Sequence, residues 1–275
     1  MTHIVLERQG PVGILTMNRP EKHNAFDDAL IAGLTEALRT LEAQDEVRVV
    51  VLSATGRSFS AGADLNWMRR MAGYSPDENR RDAMALAALM RTLNHLGKPT
   101  VARVQGAAYG GGVGLVACCD VAVATQAASF ALSEAKLGLV PAVISPYVVA
   151  AIGERAARRF FLTGERFEAA EAWRLGLLHE LAIDETDLDE KIGEIVEALL
   201  ACGPVAQREA KDLVRQVANR TVTGELMQDT ADRIARIRSS PEGREGVAAF
   251  LEKRRAAWLP PVPEPEPEPD EPGPV

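Results

Sequence analysis

The stretch Thr100–Asp120, TVARVQGAAYGGGVGLVACCD, decides the fold class of this 275-residue chain. Thr100–Val104 is apolar and rich in β-branched residues, which predicts a buried strand. The glycines Gly110–Gly112 predict a loop, and the apolar run Val113–Cys119 predicts a short buried helix. A buried strand that leads through a loop into a helix is typical of an α/β protein with a parallel sheet.

The same alternation extends on both sides of this stretch. Further strands are predicted at His3–Gln9, Val12–Met17, Val47–Leu52, Val121–Ala124 and Ser129–Leu132. Helical spacing of apolar residues begins at Asp27 and again from Asp77 to about His95. From Ser145 onward nearly every segment is predicted to be helical, except Leu177–Ala182.

Composition divides the chain into three predicted parts: a core over 1–184, amphipathic helices over 185–258 and a tail over 259–275. The last sixteen residues, 260–275, contain eight of the 16 prolines and five acidic residues. Prolines and like charges keep such a segment extended, so the tail is predicted to be disordered. Without these residues the formal charge of −8 falls to −3.

Several classes of function are disfavoured by composition. A nearly neutral body argues against nucleic acid as a partner, and no apolar run reaches the ~18 residues of a membrane span. Cys118, Cys119 and Cys202 are too few for a disulfide framework or a zinc site. The opening residues lack the pattern of a secretory signal. We therefore expect a cytoplasmic protein with neither a metal nor a membrane or nucleic-acid partner.

Two loops of small residues are the first candidate site. Ser60–Asp64 (SAGAD) and Gly106–Gly112 (GAAYGGG) each follow a predicted strand and precede a helix. Small residues let backbone N–H groups approach a ligand, and two converging N–H groups would hold an oxyanion, such as a thioester carbonyl becoming an enolate. The alternative is that the glycines only permit close packing of strand and helix.

One acidic residue is a candidate for proton transfer. Glu134 follows the predicted strand Ser129–Leu132 and precedes a loop with Gly138 and Pro141. A carboxylate at the end of an apolar strand is placed to have a raised pKa and to act as a general acid or base. The alternative is a solvent-facing glutamate paired with Lys136.

Taken together, these segments resemble the crotonase family, the enoyl-CoA hydratases and isomerases. The resemblance runs through Asn18–Phe26, Phe59–Asp64, Gln105–Asp120, Thr163–Leu177 and Phe250–Arg254, in the family's order and spacing. It implies a spiral of ββα turns with a C-terminal helical region that builds homotrimers, commonly paired into hexamers. It also implies an acyl-CoA thioester substrate, with coenzyme A as part of the substrate and no separate cofactor.

The resemblance also implies roles for individual residues. The oxyanion donors fall on the N–H groups of Ala63 and Gly111, and the acid/base group falls on Glu134. Residues implied to line the path of coenzyme A and the acyl group are His23, Ala25, Ala61, Ala63, Asp64, Leu65, Asn66, Gly110, Gly111, Pro141 and Lys253.

The sequence departs from the family at two places. Gly114 stands where the hydratases carry the first of two catalytic glutamates, and Glu134 matches the second. The glycine-rich loop that usually follows is replaced by Pro141–Tyr147 (PAVISPY). The two-glutamate arrangement that positions the attacking water is therefore not expected in the usual form.

Three functions are compatible with these features. The stretches Asp64–Met71 (DLNWMRRM) and Leu132–Tyr147 (LSEAKLGLVPAVISPY) resemble bacterial 3-methylglutaconyl-CoA hydratases of leucine and isovalerate degradation. A hydratase of that branched enoyl-CoA is the function that we expect. A single glutamate would also suffice for a Δ3,Δ2-enoyl-CoA isomerase. A protein that binds CoA thioesters without turnover is the alternative from another class.

Overall fold

A computed structural model describes residues 3–259. Apart from Leu259, the predicted tail lies outside these residues. The strands are β1 (Ile4–Gln9), β2 (Val12–Met17), β3 (Val49–Ala54), β4 (Ser58–Ser60), β5 (Thr100–Val104), β6 (Ala107–Tyr109), β7 (Val121–Thr125), β8 (Ser129–Ala131), β9 (Arg166–Glu168) and β10 (Glu180–Ala182). The helices are α1 (Asp28–Ala43), α2 (Leu65–Met71), α3 (Pro76–Asn94), α4 (Gly111–Cys118), α5 (Ser145–Thr163), α6 (Ala169–Arg174), α7 (Glu185–Ala201), α8 (Pro204–Val217), α9 (Gly224–Ser239) and α10 (Pro241–Glu252).

The strands form two sheets. The larger has the order β1-β2-β3-β5-β7-β10, and the smaller has the order β4-β6-β8-β9. Among the strands of residues 3–259, only the pairs β1–β2 and β8–β9 are antiparallel. The chain visits the larger sheet, then the smaller sheet, and then returns through a helix, as in β3-β4-α2 and β5-β6-α4. The predicted α/β class and the spiral of ββα turns are confirmed.

Two apolar clusters hold the elements together. The main cluster joins α1, α3, α4 and α5 to one face of the larger sheet and includes the buried rings of Phe26, Phe59 and Phe130. The second cluster covers the other face, where Leu188 and Ile192 of α7 pack on valines of β3, β5 and β7. Such burial stabilises the fold by ~1.5–3 kcal/mol for each large side chain. The first helix after residue 184 thus packs on the sheet itself.

Several short elements differ from the sequence-based expectation. The strands β4, β6 and β9 and the helix α2 were not predicted, and β9 corrects the expectation that residues after Ser145 are helical up to Leu177. A strand of three residues is too short to show an alternating pattern, so only the neighbouring strands reveal it. Glu134 lies in a 3₁₀ turn over Ser133–Leu137 rather than directly at a strand end, because β8 stops at Ala131.

The last three helices lie outside the sheets. α10 packs on α9 and α8, and a short ion pair attaches α8 to the body, with Lys211 Nζ 2.6 Å from Asp120 Oδ2. Asp120 also accepts hydrogen bonds from the N–H and Oγ1 of Thr100 at the start of β5. Among the helices of residues 3–259, none has the length and apolar character that a membrane span requires.

Candidate active site

The first small-residue loop is fixed by a bridge to Phe26. The Phe26 N–H donates to the carbonyl of Gly62 at 2.7 Å, and the Asp64 N–H donates to the carbonyl of Phe26 at 2.8 Å. A trans peptide places its N–H opposite its C=O, so the Ala63 N–H points away from Phe26. Within residues 3–259 it has no hydrogen-bond partner, and Ala63 is exposed.

The second loop presents a matching N–H at the start of α4. The Gly110 carbonyl accepts from the Gly114 N–H at 3.2 Å, which leaves the Gly111 N–H pointing out of the helix N-terminus. Gly110 has φ 52° and ψ −117°, a conformation that side chains disfavour. This N–H also has no partner in the described part of the chain, and the positive end of the helix dipole adds to its field.

Phe26 contacts both loops. Its backbone pairs with the first loop, and its ring packs so closely on Gly111 that a β-carbon there would lie 2.9 Å from Cε2. The loops also meet directly, since a β-carbon on Gly110 would be 3.9 Å from the Cα of Gly62. Close packing around the glycines is therefore observed, and the same loops leave the N–H groups of Ala63 and Gly111 unpaired; binding of an oxyanion by these groups stays a prediction.

Glu134 lies over the second loop. A β-carbon on Gly110 would be 3.0 Å from its Oε1, and its Oε2 is buried without a hydrogen-bond partner in the structure. Burial raises the pKa of the Glu134 carboxyl, although a hydrogen bond from its own backbone opposes this. No ion pair joins it to Lys136 among the described residues, so the alternative of a solvent-facing glutamate paired with Lys136 is not observed. The arrangement favours proton transfer at this carboxylate.

A buried arginine connects the segments around the first loop. The guanidinium of Arg19, 2% exposed, lies 2.7 Å from Asp27 Oδ2 and 3.9 Å from Asp64 Oδ2. Asp27 and Asp64 are the N-caps of α1 and α2. Burial alone would raise the pKa of Asp64. Hydrogen bonds from the backbone N–H groups of α2 and the charge of Lys22 outweigh this effect and hold the pKa below its usual value. Asp64 therefore positions the loop in this structure.

Asn24 fixes the neighbouring turn. Its side chain accepts from the Arg19 N–H at 2.8 Å and donates to the carbonyls of Thr55 and Ser58, both at 2.9 Å. The residue is fully buried and has φ 52°, a conformation in which asparagine is among the tolerated residues. These bonds hold the chain between β2 and α1 against β4.

The residues implied to contact coenzyme A lie in different surroundings. His23 contacts Ser58 Oγ at 3.1 Å and the Arg57 guanidinium, and its carbonyl accepts from the Ala61 N–H. Ala25 and Pro141 are buried, whereas Leu65 and Asn66 are exposed on the first turn of α2. Lys253 follows α10, which packs on α8 and α9, and its role toward coenzyme A stays a prediction.

The position of Gly114 is closed to any side chain. A β-carbon there would overlap Cγ2 of Ile144 and lie 2.9 Å from its Cβ and 3.2 Å from Cε of Met90. Ile144 is 3% exposed and precedes α5. The departures at Gly114 and at Pro141–Tyr147 are therefore one structural feature, because a residue of the second fills the space left by the first.

Sequence reasoning missed Phe26, Arg19, Asn24 and Ile144 as residues that shape the site. Phe26, Arg19 and Asn24 lie in the segment Asn18–Phe26 that carries the family resemblance, and this was the only available signal. The contact of Ile144 with Gly114 joins positions thirty residues apart and has no signature in one sequence.

Two unpaired backbone N–H groups beside a partly buried carboxylate can stabilise an oxyanion and transfer a proton next to it. This combination, on a spiral of two sheets, is compatible with an α/β enzyme whose reaction passes through an enolate. A family model described as enoyl-CoA hydratase/isomerase matches residues 7–260. The chain belongs to the enoyl-CoA hydratase/isomerase family, the crotonases.

Similar proteins cover nearly the whole chain. The crystal structure of an enoyl-CoA hydratase from Shewanella pealeana is 43% identical with a TM-score of 0.91, covering 94% of this chain and 96% of the other. Pseudomonas aeruginosa AtuE is 35% identical with a TM-score of 0.90, covering 94% and 100%. The enoyl-CoA hydratase ACTT6 of Alternaria alternata is 33% identical over 92% of this chain and 83% of its own length.

Proposed function

We propose that this member of the family hydrates 3-methylglutaconyl-CoA, a branched enoyl thioester of leucine and isovalerate degradation. The observation that carries the proposal is the carboxylate of Glu134, whose Oε2 is buried without a partner among the described residues, next to the loop that leaves the Gly111 N–H unpaired. The likeness of Leu132–Tyr147 to 3-methylglutaconyl-CoA hydratases supports the choice of substrate.

In the proposed reaction the N–H groups of Ala63 and Gly111 bind the thioester oxygen. They stabilise the enolate that forms when water adds at C3, and one such donor is typically worth ~3–4 kcal/mol. Glu134 takes a proton from the attacking water and then returns a proton to C2. The chemistry is proton transfer with electrostatic stabilisation, so we propose coenzyme A as part of the substrate and no separate cofactor.

The distal carboxylate of this substrate requires a cationic partner. Lys136, two residues after Glu134, is exposed, and Arg69 on α2 is held 2.7 Å from Asn66 Oδ1. We propose one of these two residues as the partner. If Lys136→Ala leaves the preference for glutaconyl over crotonyl thioesters unchanged, Lys136 is not the partner, and Arg69→Ala then tests the second candidate.

The second candidate function is a Δ3,Δ2-enoyl-CoA isomerase. It is favoured by the closed space at Gly114, because moving a double bond requires one group that takes an α-proton and returns it at the γ-carbon. The alternative outside the enzymes is a protein that binds CoA thioesters without turning them over.

Turnover of three substrates separates these functions. We expect hydration of 3-methylglutaconyl-CoA by the purified protein at a kcat/KM at least tenfold above that for crotonyl-CoA. Double-bond migration in a 3-enoyl-CoA without addition of water would replace the proposal by the isomerase. Tight binding of all three thioesters with no turnover would establish the binding protein.

Assembly is part of the proposal. α10 exposes Val247, Phe250 and Leu251 by 58%, 82% and 72%, and Val214 of α8 and Met227 of α9 are also exposed, which suits burial against other copies of the chain. We propose a homotrimer or a dimer of trimers.

A further inference from the structure

Helix α4 turns one face toward Glu134. A β-carbon on Gly110, its N-cap, would project to within 3.0 Å of Oε1. Gly114 lies one turn further on and donates its N–H to the Gly110 carbonyl. Gly114 thus lies in the first turn of α4, directly after the loop that contacts Glu134, at the position where the family resemblance implies a second carboxylate.

Ile144 occupies that space. Its Cγ2 overlaps the position of a β-carbon on Gly114, and its Cβ lies 2.9 Å from that position. A β-branched side chain is stiff about χ1, so Ile144 yields only by moving its backbone. Met90 closes the space from α3, with Cε at 3.2 Å. The space beside Gly114 is therefore filled by apolar atoms.

We propose that Gly114 and Ile144 form a matched pair that limits the site to one carboxylate and determines which enoyl thioesters are turned over. The inference rests on the proposed function. Glycine alone would leave room that water or a neighbouring polar group could fill, whereas the isoleucine fills it with apolar atoms. Ile144 is thus the specificity-determining residue, and no second proton-transfer group reaches the site from position 114.

The test is to provide the room and a carboxylate together. In Gly114→Glu/Ile144→Gly the new glutamate has space, and Gly114→Gln/Ile144→Gly is a control of equal size that cannot ionise. We expect the glutamate variant to hydrate crotonyl-CoA ten- to a hundredfold faster than the glutamine variant. We also expect its ratio of crotonyl-CoA to 3-methylglutaconyl-CoA turnover to rise at least tenfold over wild type. Equal rates for two folded variants would overturn the inference.

A double-mutant cycle measured by thermal stability, called the stability cycle below, keeps the inference testable if those variants fail to fold. Gly114→Ala should lower Tm by roughly 5 °C, because its methyl group meets Ile144. Ile144→Gly should also lower Tm, because it leaves a cavity. In Gly114→Ala/Ile144→Gly the new methyl group enters that cavity, so the double variant should lose less stability than the sum of the two single losses. Additive losses would show that the residues are not a matched pair.

The proposed function can fail separately. The stability cycle involves no substrate, and wild-type turnover of the three thioesters involves no variant. If the cycle shows strong coupling but the wild-type protein turns over a different thioester, the matched pair stands and the proposed substrate is wrong.

Discussion

Helix α4 and the helices α8–α10 differ most in what their apolar residues contact. Six of the eight residues of α4 are buried, and its first turn carries the Gly111 N–H. In contrast, α8 has no buried residue, α9 only Leu226 and α10 only Ala249. Packing within the chain therefore fixes the site, while the last helices keep an uncovered apolar face.

The two regions also use charge differently. Around α4 one carboxylate, Glu134, is left with a buried, unpartnered oxygen. In α8 and α9 the charges are paired, with Arg233 Nη1 2.8 Å from Asp212 Oδ2 and Arg236 Nη2 2.8 Å from Glu209 Oε2. Substitutions near α4 should therefore change the chemistry, and substitutions in the last helices should change attachment or assembly.

Glu134→Gln is expected to have the largest effect, and it tests whether the chemistry depends on the region around α4. We expect kcat to fall by about 10²–10⁴-fold on the preferred enoyl thioester, because amide nitrogen and oxygen cannot replace the acid/base group. The variant should keep its fold, with a thermal stability no lower than that of wild type. Glu190→Gln, an exposed glutamate of α7, is the control and should leave kcat unchanged. Equal turnover by the two variants would remove Glu134 from the chemistry.

The raised pKa of Glu134 gives this contrast a pH dependence. Activity requires the carboxylate, so kcat should fall as pH drops through a value above that of an ordinary glutamate. For stability the sign is opposite. A pKa raised by folding stabilises the protonated form, and this contribution is lost as pH rises through the folded-state pKa. Glu134→Gln should therefore be more stable than wild type at neutral pH, with the difference vanishing in acid; pH-dependent thermal melts would measure this.

Gly110→Ala tests the same region by disturbing the backbone of the second loop. A methyl group would meet Glu134 Oε1 at 3.0 Å in a conformation that only glycine readily adopts. We expect kcat to fall by about 10²-fold and the free energy of unfolding to fall by ~1–3 kcal/mol. Gly193→Ala in α7 is the matched control, since a β-carbon there has nothing within 4 Å. It should gain up to ~1 kcal/mol and keep full activity.

The sequence predicted long buried elements well and pairwise contacts poorly. The predictions for β2 and β5 match the structure residue for residue, because apolar and β-branched runs mark a buried strand. Glu134 was found because its neighbours on the chain are apolar. The pairing of Ile144 with Gly114, and the contact of Phe26 with Gly111, depend on segments brought together only by the fold. The roles assigned to Ala63, Gly111 and Glu134 stay predictions.

Lys211→Met tests how the last helices are attached. Its Nζ lies 2.6 Å from Asp120 Oδ2 and donates to the Lys98 carbonyl at 3.2 Å, and the side chain is 11% exposed. We expect a loss of ~1–2 kcal/mol in the free energy of unfolding by denaturant titration, with kcat unchanged. Lys191→Met is the control, because its contacts with Glu180 and Asp187 are 3.7 and 3.9 Å, and it should cost less than half as much. If Lys211→Met also lowered kcat, this would mean that α8 shapes the active site as well.

The smallest effect on the single chain is expected from Phe250→Ser. The ring is 82% exposed, so its removal should change the free energy of unfolding of one chain by no more than ~0.5 kcal/mol. If α10 packs on another copy of the chain, the same substitution should lower the mass measured by light scattering at micromolar concentration. Leu162→Ser, at 78% exposure on α5, is a control of similar exposure outside the last helices. An unchanged mass for Phe250→Ser would show that this face is not the one through which the chains assemble, and the uncovered apolar residues of α8–α10 would then need another partner.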